Sequence, residues 1–117
     1  MFKIPTKFPE LSFYYHYKHN PERGVRDYAY EIIGLGFHSE DDCRPEDSCL
    51  VIYRPLYVEA RPYRASLQLG IPTTDLRPVD MFTENVVKDG QTLPRFQKIT
   101  DQNIIDQLRI AKKEMYG

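Results

Sequence analysis

Asp27-Tyr28-Ala29-Tyr30-Glu31-Ile32-Ile33-Gly34-Leu35-Gly36-Phe37-His38 carries the pattern on which the fold turns. Tyr28, Tyr30 and Ile32 alternate onto one face of a strand, yet Ile33, Leu35 and Phe37 continue the apolar series on the other. Side chains in a strand change face at every residue, so the switch requires burial on both sides or one extra residue that shifts the phase. Gly34 and Gly36 give the backbone room to kink there. A long bent strand is what a small β-barrel uses to turn a corner.

Outward from this segment, further strands follow. Upstream, Ser12 to Lys18 is dominated by aromatic residues and ends at the turn-forming run His19 to Gly24, which predicts a strand. Downstream, the acidic, turn-rich loop Ser39 to Ser48 leads to Cys49-Leu50-Val51-Ile52-Tyr53-Arg54, β-branched and aromatic, a buried strand ended by Pro55. The two strands flanking that loop form a hairpin. Leu56 to Asp75 reads as a long excursion with at most a short strand at Ala65 to Leu69, and Leu76 to Phe82 as a short helical segment with Pro78 in its first turn. Asp89-Gly90 is a tight-turn dipeptide, and Leu93 to Ile99 returns as the last strand with Pro94 holding it at an edge. The period then changes: Ile104, Ile105, Leu108 and Ala111 recur at helical spacing, Thr100 or Asp101 is the N-cap, and Lys112 and Lys113 suit the C-terminal end. An isolated helix of about 15 residues is marginal in water, so this one must pack on its own sheet or on a partner.

With 117 residues the chain is expected to be one domain: an extended arm over 1–12 anchored by Phe2, Ile4, Phe8 and Leu11, a barrel over 13–99 and the helix over 100–117. Sixteen Lys and Arg balance 17 Asp and Glu, so no global field gathers nucleic acid or anionic membrane, and any such binding needs a local patch. The acidic loop Glu40 to Asp47 and the arginines from Arg54 to Arg77 are separate in sequence, so near-neutrality is compatible with two opposite patches. No apolar run approaches the ~18 residues of a membrane span, and prolines and charges interrupt the first ten residues where a signal peptide needs an apolar core. A cytoplasmic protein with no membrane association is therefore expected, with Cys43 and Cys49 as free thiols.

Five segments in order resemble a known family. Tyr15-His16-Tyr17-Lys18, Tyr30 to Glu40, Val51-Ile52-Tyr53-Arg54-Pro55-Leu56-Tyr57, Leu76-Arg77-Pro78-Val79-Asp80-Met81-Phe82 and Asp89-Gly90 with Pro94-Arg95-Phe96 are similar to the small, mainly bacterial domain-of-unknown-function family 1653. The resemblance implies an SH3-like β-barrel and assigns no reaction. Asn20 to Asp27 stands as an insertion relative to the family. Where relatives carry a Gly-rich stretch with Trp before Arg-Pro, this chain has Gly70-Ile71-Pro72-Thr73-Thr74 and no Trp.

The chemistry points to binding. Motifs for a nucleophile elbow, a phosphate-cradling loop or a zinc protease are missing, the spacings of His16, His38, Cys43 and Cys49 match no standard zinc pattern, and no cofactor is expected. Glu31 interrupts an apolar strand, and if buried its charge requires a partner such as Arg54 or Arg77. The family-like segments concentrate His16, Lys18, Tyr57 and Arg95 together with the six expected ligand-binding residues: Tyr15, Tyr17, His38, Tyr53, Arg54 and Arg77. Aromatic faces stack on bases or pack prolines, and arginine forks grip phosphate or carboxylate. The expected function is thus a non-enzymatic module for an anionic or extended ligand, nucleic acid, phosphate-bearing molecule or peptide. The alternative is a small hydrolase or transferase with His16 or His38 as general base and Arg54 stabilising charge. A third reading makes the C-terminal helix a surface for a protein partner or for self-association.

Overall fold

The computed structural model describes residues 4–40 and 42–117. The chain is mainly β, with two antiparallel sheets and a C-terminal helix. Strands β1 (Phe13–His16), β2 (Ala29–Phe37), β3 (Cys49–Pro55), β4 (Asp75–Pro78) and β7 (Phe96–Lys98) form one sheet in the order β4-β3-β2-β1-β7. β5 (Asn85–Lys88) and β6 (Gln91–Pro94) form a separate hairpin.

β2 contains the extra residue that its sequence demands. Its pairing with β3 runs Ile32 to Tyr53 and then jumps to Gly34 with Ile52, Leu35 with Val51 and Phe37 with Cys49. The register step at Ile33 returns Leu35 and Phe37 to the face that Tyr30 and Ile32 already occupy. The remaining turns follow their residues too. Asp89 (φ 51) and Gly90 (φ 77) both adopt the left-handed conformation that a two-residue hairpin turn needs.

Alternation along β1 distributes the core to both sides of the main sheet. Tyr14 joins Tyr30, Ile32, Val51, Tyr53, Val79, Phe82 and Phe96 on one side. Phe13 joins Ala29, Leu56, Ile99 and Leu108 on the other, beneath α3 (Gln102–Tyr116). Asp101 caps α3 by accepting from the amides of Asn103 and Ile104. The apolar stripe of that helix, with Leu108 and Ala111 buried, is used inside the chain.

The main sheet curls until its two edges face each other across the first core. Phe96 of β7 stacks on Phe82 at 4.0 Å between centroids, and the Arg77 guanidinium of β4 lies 5.7 Å from the same ring. The edges β4 and β7 are not hydrogen-bonded to each other, so the expected barrel is not closed and the sheet is open.

Several segments differ from their sequence reading. Ala65 to Leu69 is not a strand: it lies in helix α1 (Arg61–Leu69), which has Pro62 in its first turn and ends at Gly70 with φ 71. Leu76 and Arg77 are extended and pair with Ile52 and Val51, and the helix α2 (Val79–Thr83) begins only after Pro78. A residue before proline disfavours the helical region, which keeps Arg77 in β4. The final strand is two, β6 and β7, parted at Arg95. Of the expected anchors in the N-terminal arm, Phe2 lies outside the described residues, and Ile4, Phe8 and Leu11 are exposed. Cys43 and Cys49 are free, and no described helix is long and apolar enough to cross a membrane.

Candidate functional site

On the open side of the first core, the ends of β1, β2 and β3 place half-buried aromatic rings around one histidine. The His16 ring lies 5.5 Å from Tyr28 in stacked geometry, 5.1 Å from Phe96 edge-on, and 4.5 Å from Tyr17. Tyr28 continues to Tyr57 at 5.9 Å, and Tyr57 stands edge-on to Tyr30 at 5.7 Å with their hydroxyls 2.6 Å apart. The buried layer beneath is Tyr30, Tyr53 and Phe96, mutually edge-on at 5.4 to 5.8 Å. Tyr53 is fully committed to this layer and accepts a hydrogen bond from Arg77 Nε at 3.2 Å.

Tyr28 holds φ at 50°, unusual for a bulky residue and costing about 1–3 kcal/mol. The turn preceding it fixes that conformation: Asn20 N–H donates to Asp27 Oδ2 at 2.9 Å, and His19 Nδ1 meets the Asp27 carbonyl at 2.5 Å. The segment Asn20 to Asp27 therefore aims the Tyr28 ring. Beside Tyr28 and Tyr57 opens a cavity of about 760 Å³ whose wall includes Arg23, Arg26 and Glu59.

Cations gather along this aromatic ledge around His16. Burial first, and then the charges of Lys18, Arg77 and Arg95, together hold the His16 pKa down to about 4, so the ring is neutral at pH 7. Arg77 makes no ion pair among the described residues, whereas Arg95 is tied to Glu84 at 2.5 Å. Lys88 reaches the Tyr17 carbonyl at 3.4 Å and adds another cation at this rim. On the Tyr57 side stands Asp75. Its burial raises the carboxyl pKa more than Arg61 and Arg77 lower it. No group of three or more metal-ligating side chains exists among the described residues.

The depressed His16 pKa has a measurable consequence. The unfolded chain takes up a proton at His16 as pH falls through the ordinary value of 6.5, while the folded chain refuses it until about 4. Stability present above pH 6.5 is therefore lost on acidification across this window. Urea midpoints for His16→Phe should fall less than those of the native chain between about pH 7 and pH 4.5. Parallel curves would show that the imidazole is not shielded.

The six expected ligand-binding residues do not form one surface. Tyr53 and Arg77 meet, and Tyr17 lies at the margin of the same ledge against His16. Tyr15 and Arg54 are on the opposite face of the sheet. Tyr15 stacks on His19 at 3.5 Å and donates to the Val25 carbonyl, its pKa pushed up to about 12 mainly by burial. Arg54 is paired with Glu31 at 2.9 Å and lies 4.0 Å over the Tyr116 ring. His38 is exposed beyond the far end of β2, its Nδ1 accepting from the Glu40 amide. Sequence reasoning passed over Tyr28 and Asp75 as site residues. The alternation Tyr28, Tyr30, Ile32 already put Tyr28 on the right face, but Asp75 becomes visible only once β4 is recognised.

A family model described as a protein of unknown function (DUF1653) matches residues 12–98, which include every residue of the ledge. Comparison with curated proteins and with solved structures finds no match.

Proposed function

The chain belongs to the DUF1653 family, and on its own geometry we propose that it is a non-enzymatic recognition module, an open SH3-like barrel, for single-stranded nucleic acid. The observation that carries this reading is the neutral His16 ring, stacked on Tyr28 and surrounded by Lys18, Arg77 and Arg95. Neutral aromatic faces take bases by stacking, and the cations beside them take the phosphates. Tyr28 and Tyr57 form the stacking platform. Arg77 makes no ion pair among the described residues, which leaves its guanidinium to offer to a phosphate. Asp75, beside Tyr57, is suited to accept from a base amino group. The expected cytoplasmic setting belongs to the same reading and is compatible with two free thiols.

The general-base alternative draws less support. A His16 pKa of about 4 makes its neutral ring a weak base at pH 7, and catalytic bases work best with pKa near the operating pH. His38 lies in solvent with its Nδ1 occupied by the Glu40 amide.

Anisotropy of a labelled single-stranded oligonucleotide tests the proposal. Tyr28→Ala is expected to weaken binding about tenfold or more, the value of one lost base stack at ~1–3 kcal/mol. Arg77→Gln should lower the slope of log affinity against log salt by about 0.7, one phosphate's worth for a single strand. A salt-independent affinity, or one untouched by both changes, rules out this surface.

A further inference from the structure

A second cleft lies on the opposite face, between α3 and the chain entering β1. Its volume is about 510 Å³, within the ~300–1,000 Å³ range of small-molecule sites. Leu11, Phe13 and Ile105 supply its apolar wall, and Arg109, Lys112 and Lys113 its charged one. Helical spacing explains this division: Ile105, Arg109, Lys112 and Lys113 run along one side of α3, while Leu108 and Ala111 are turned into the core.

Charge in the cleft is unbalanced. The Glu31 carboxylate is already held by Arg54 at 2.9 Å and Lys112 at 2.6 Å. Arg109 is only loosely met by Asp106 at 3.9 Å, and Lys113 has no ion-pair partner among the described residues. Three lining cations, Arg109, Lys112 and Lys113, outnumber the Glu31 carboxylate and a carboxylate at Gly117, and the C-terminal end of α3 offsets only roughly half of the remaining charge.

We propose that this cleft binds a small amphiphilic anion, with its apolar body against Leu11, Phe13 and Ile105 and its carboxylate or phosphate head between Arg109 and Lys113. Both requirements are needed together, since apolar area supplies the affinity and the cations select the head. The site is separate from the His16 ledge and does not depend on the function proposed for it.

The test uses octanoate and octyl phosphate, with 1-octanol and acetate as the uncharged and body-less controls, followed by NMR on the full chain. Saturable shifts at Phe13, Ile105 and Lys113 are expected for one or both amphiphiles below about 10 mM, and the tighter one identifies the head. Each control should bind at least about tenfold more weakly, and Arg109→Gln with Lys113→Gln should cost about tenfold. Both substituted side chains are exposed and glutamine is a good helix former, so the variant should fold. No saturable binding, equal binding of 1-octanol, or binding unchanged in the double variant overturns the proposal. Tyr28→Ala is expected to leave octanoate binding unaltered.

Discussion

Phe82→Ala is expected to lower the unfolding free energy by about 3–5 kcal/mol. Phe82 is 2% exposed and stacked on Phe96 with an interplanar angle of 3°. Tyr53 and Tyr14 meet it edge-on at 5.3 and 5.7 Å. Its position explains the size of the effect. The sheet is not closed by hydrogen bonds between β4 and β7, so the ring fills the space between them. Moreover α2, with five residues, is too short to persist unless packed. A domain of this kind has about 5–15 kcal/mol in total, so the variant should be marginal at room temperature. Chemical denaturation measures it; a loss below about 1.5 kcal/mol would show that the edges are held by something other than this ring.

Glu31→Ala should cost about 2–3 kcal/mol, below the ~3–5 for breaking a fully buried pair because its partners keep some contact with water. One carboxylate here joins three elements. Its Oε1 accepts from Arg54 of the neighbouring strand and its Oε2 from Lys112 of α3. Lys112 can turn outward when the acid is removed, but Arg54 is pinned over the Tyr116 ring, so most of the penalty falls on the guanidinium. A double-mutant cycle with Arg54→Leu separates the contributions, and an interaction energy of about 1 kcal/mol or more is expected. Additive losses would mean that Glu31 and Arg54 act independently. The Tyr116 hydroxyl also donates to the Pro55 carbonyl at 2.6 Å, so the same variants should loosen the end of α3.

The most legible parts of the chain were those where residue type and position agree. The phase switch in β2, the Asp89-Gly90 turn and the capped C-terminal helix each follow from a local rule. Glu31 was legible as well: an acid inside an apolar strand demanded a partner, and Arg54 is its cross-strand neighbour. The misread stretch, from Leu56 to Phe82, shows the limit. Pro62 and Gly70 were punctuation at the start and end of a helix, and α1 carries no buried residue whose periodicity would have announced it. The site was only half legible because aromatic and arginine residues populate both faces of the sheet. Composition marks Tyr15, Arg54, Tyr53 and Arg77 alike, and only the register separates the first two from the last two.

On the proposed function, single-stranded nucleic acid is bound on the face bearing His16, Tyr28, Tyr57 and Arg77. The most direct measurement is a side-chain and amide NMR titration with a short single-stranded oligonucleotide. Saturable shifts are expected at His16, Tyr28, Tyr57 and Arg77, suppressed by added salt, with Tyr15, Arg54 and His38 unmoved. Shifts centred on Tyr15 and Arg54, or no saturable response at all, would contradict the proposed function.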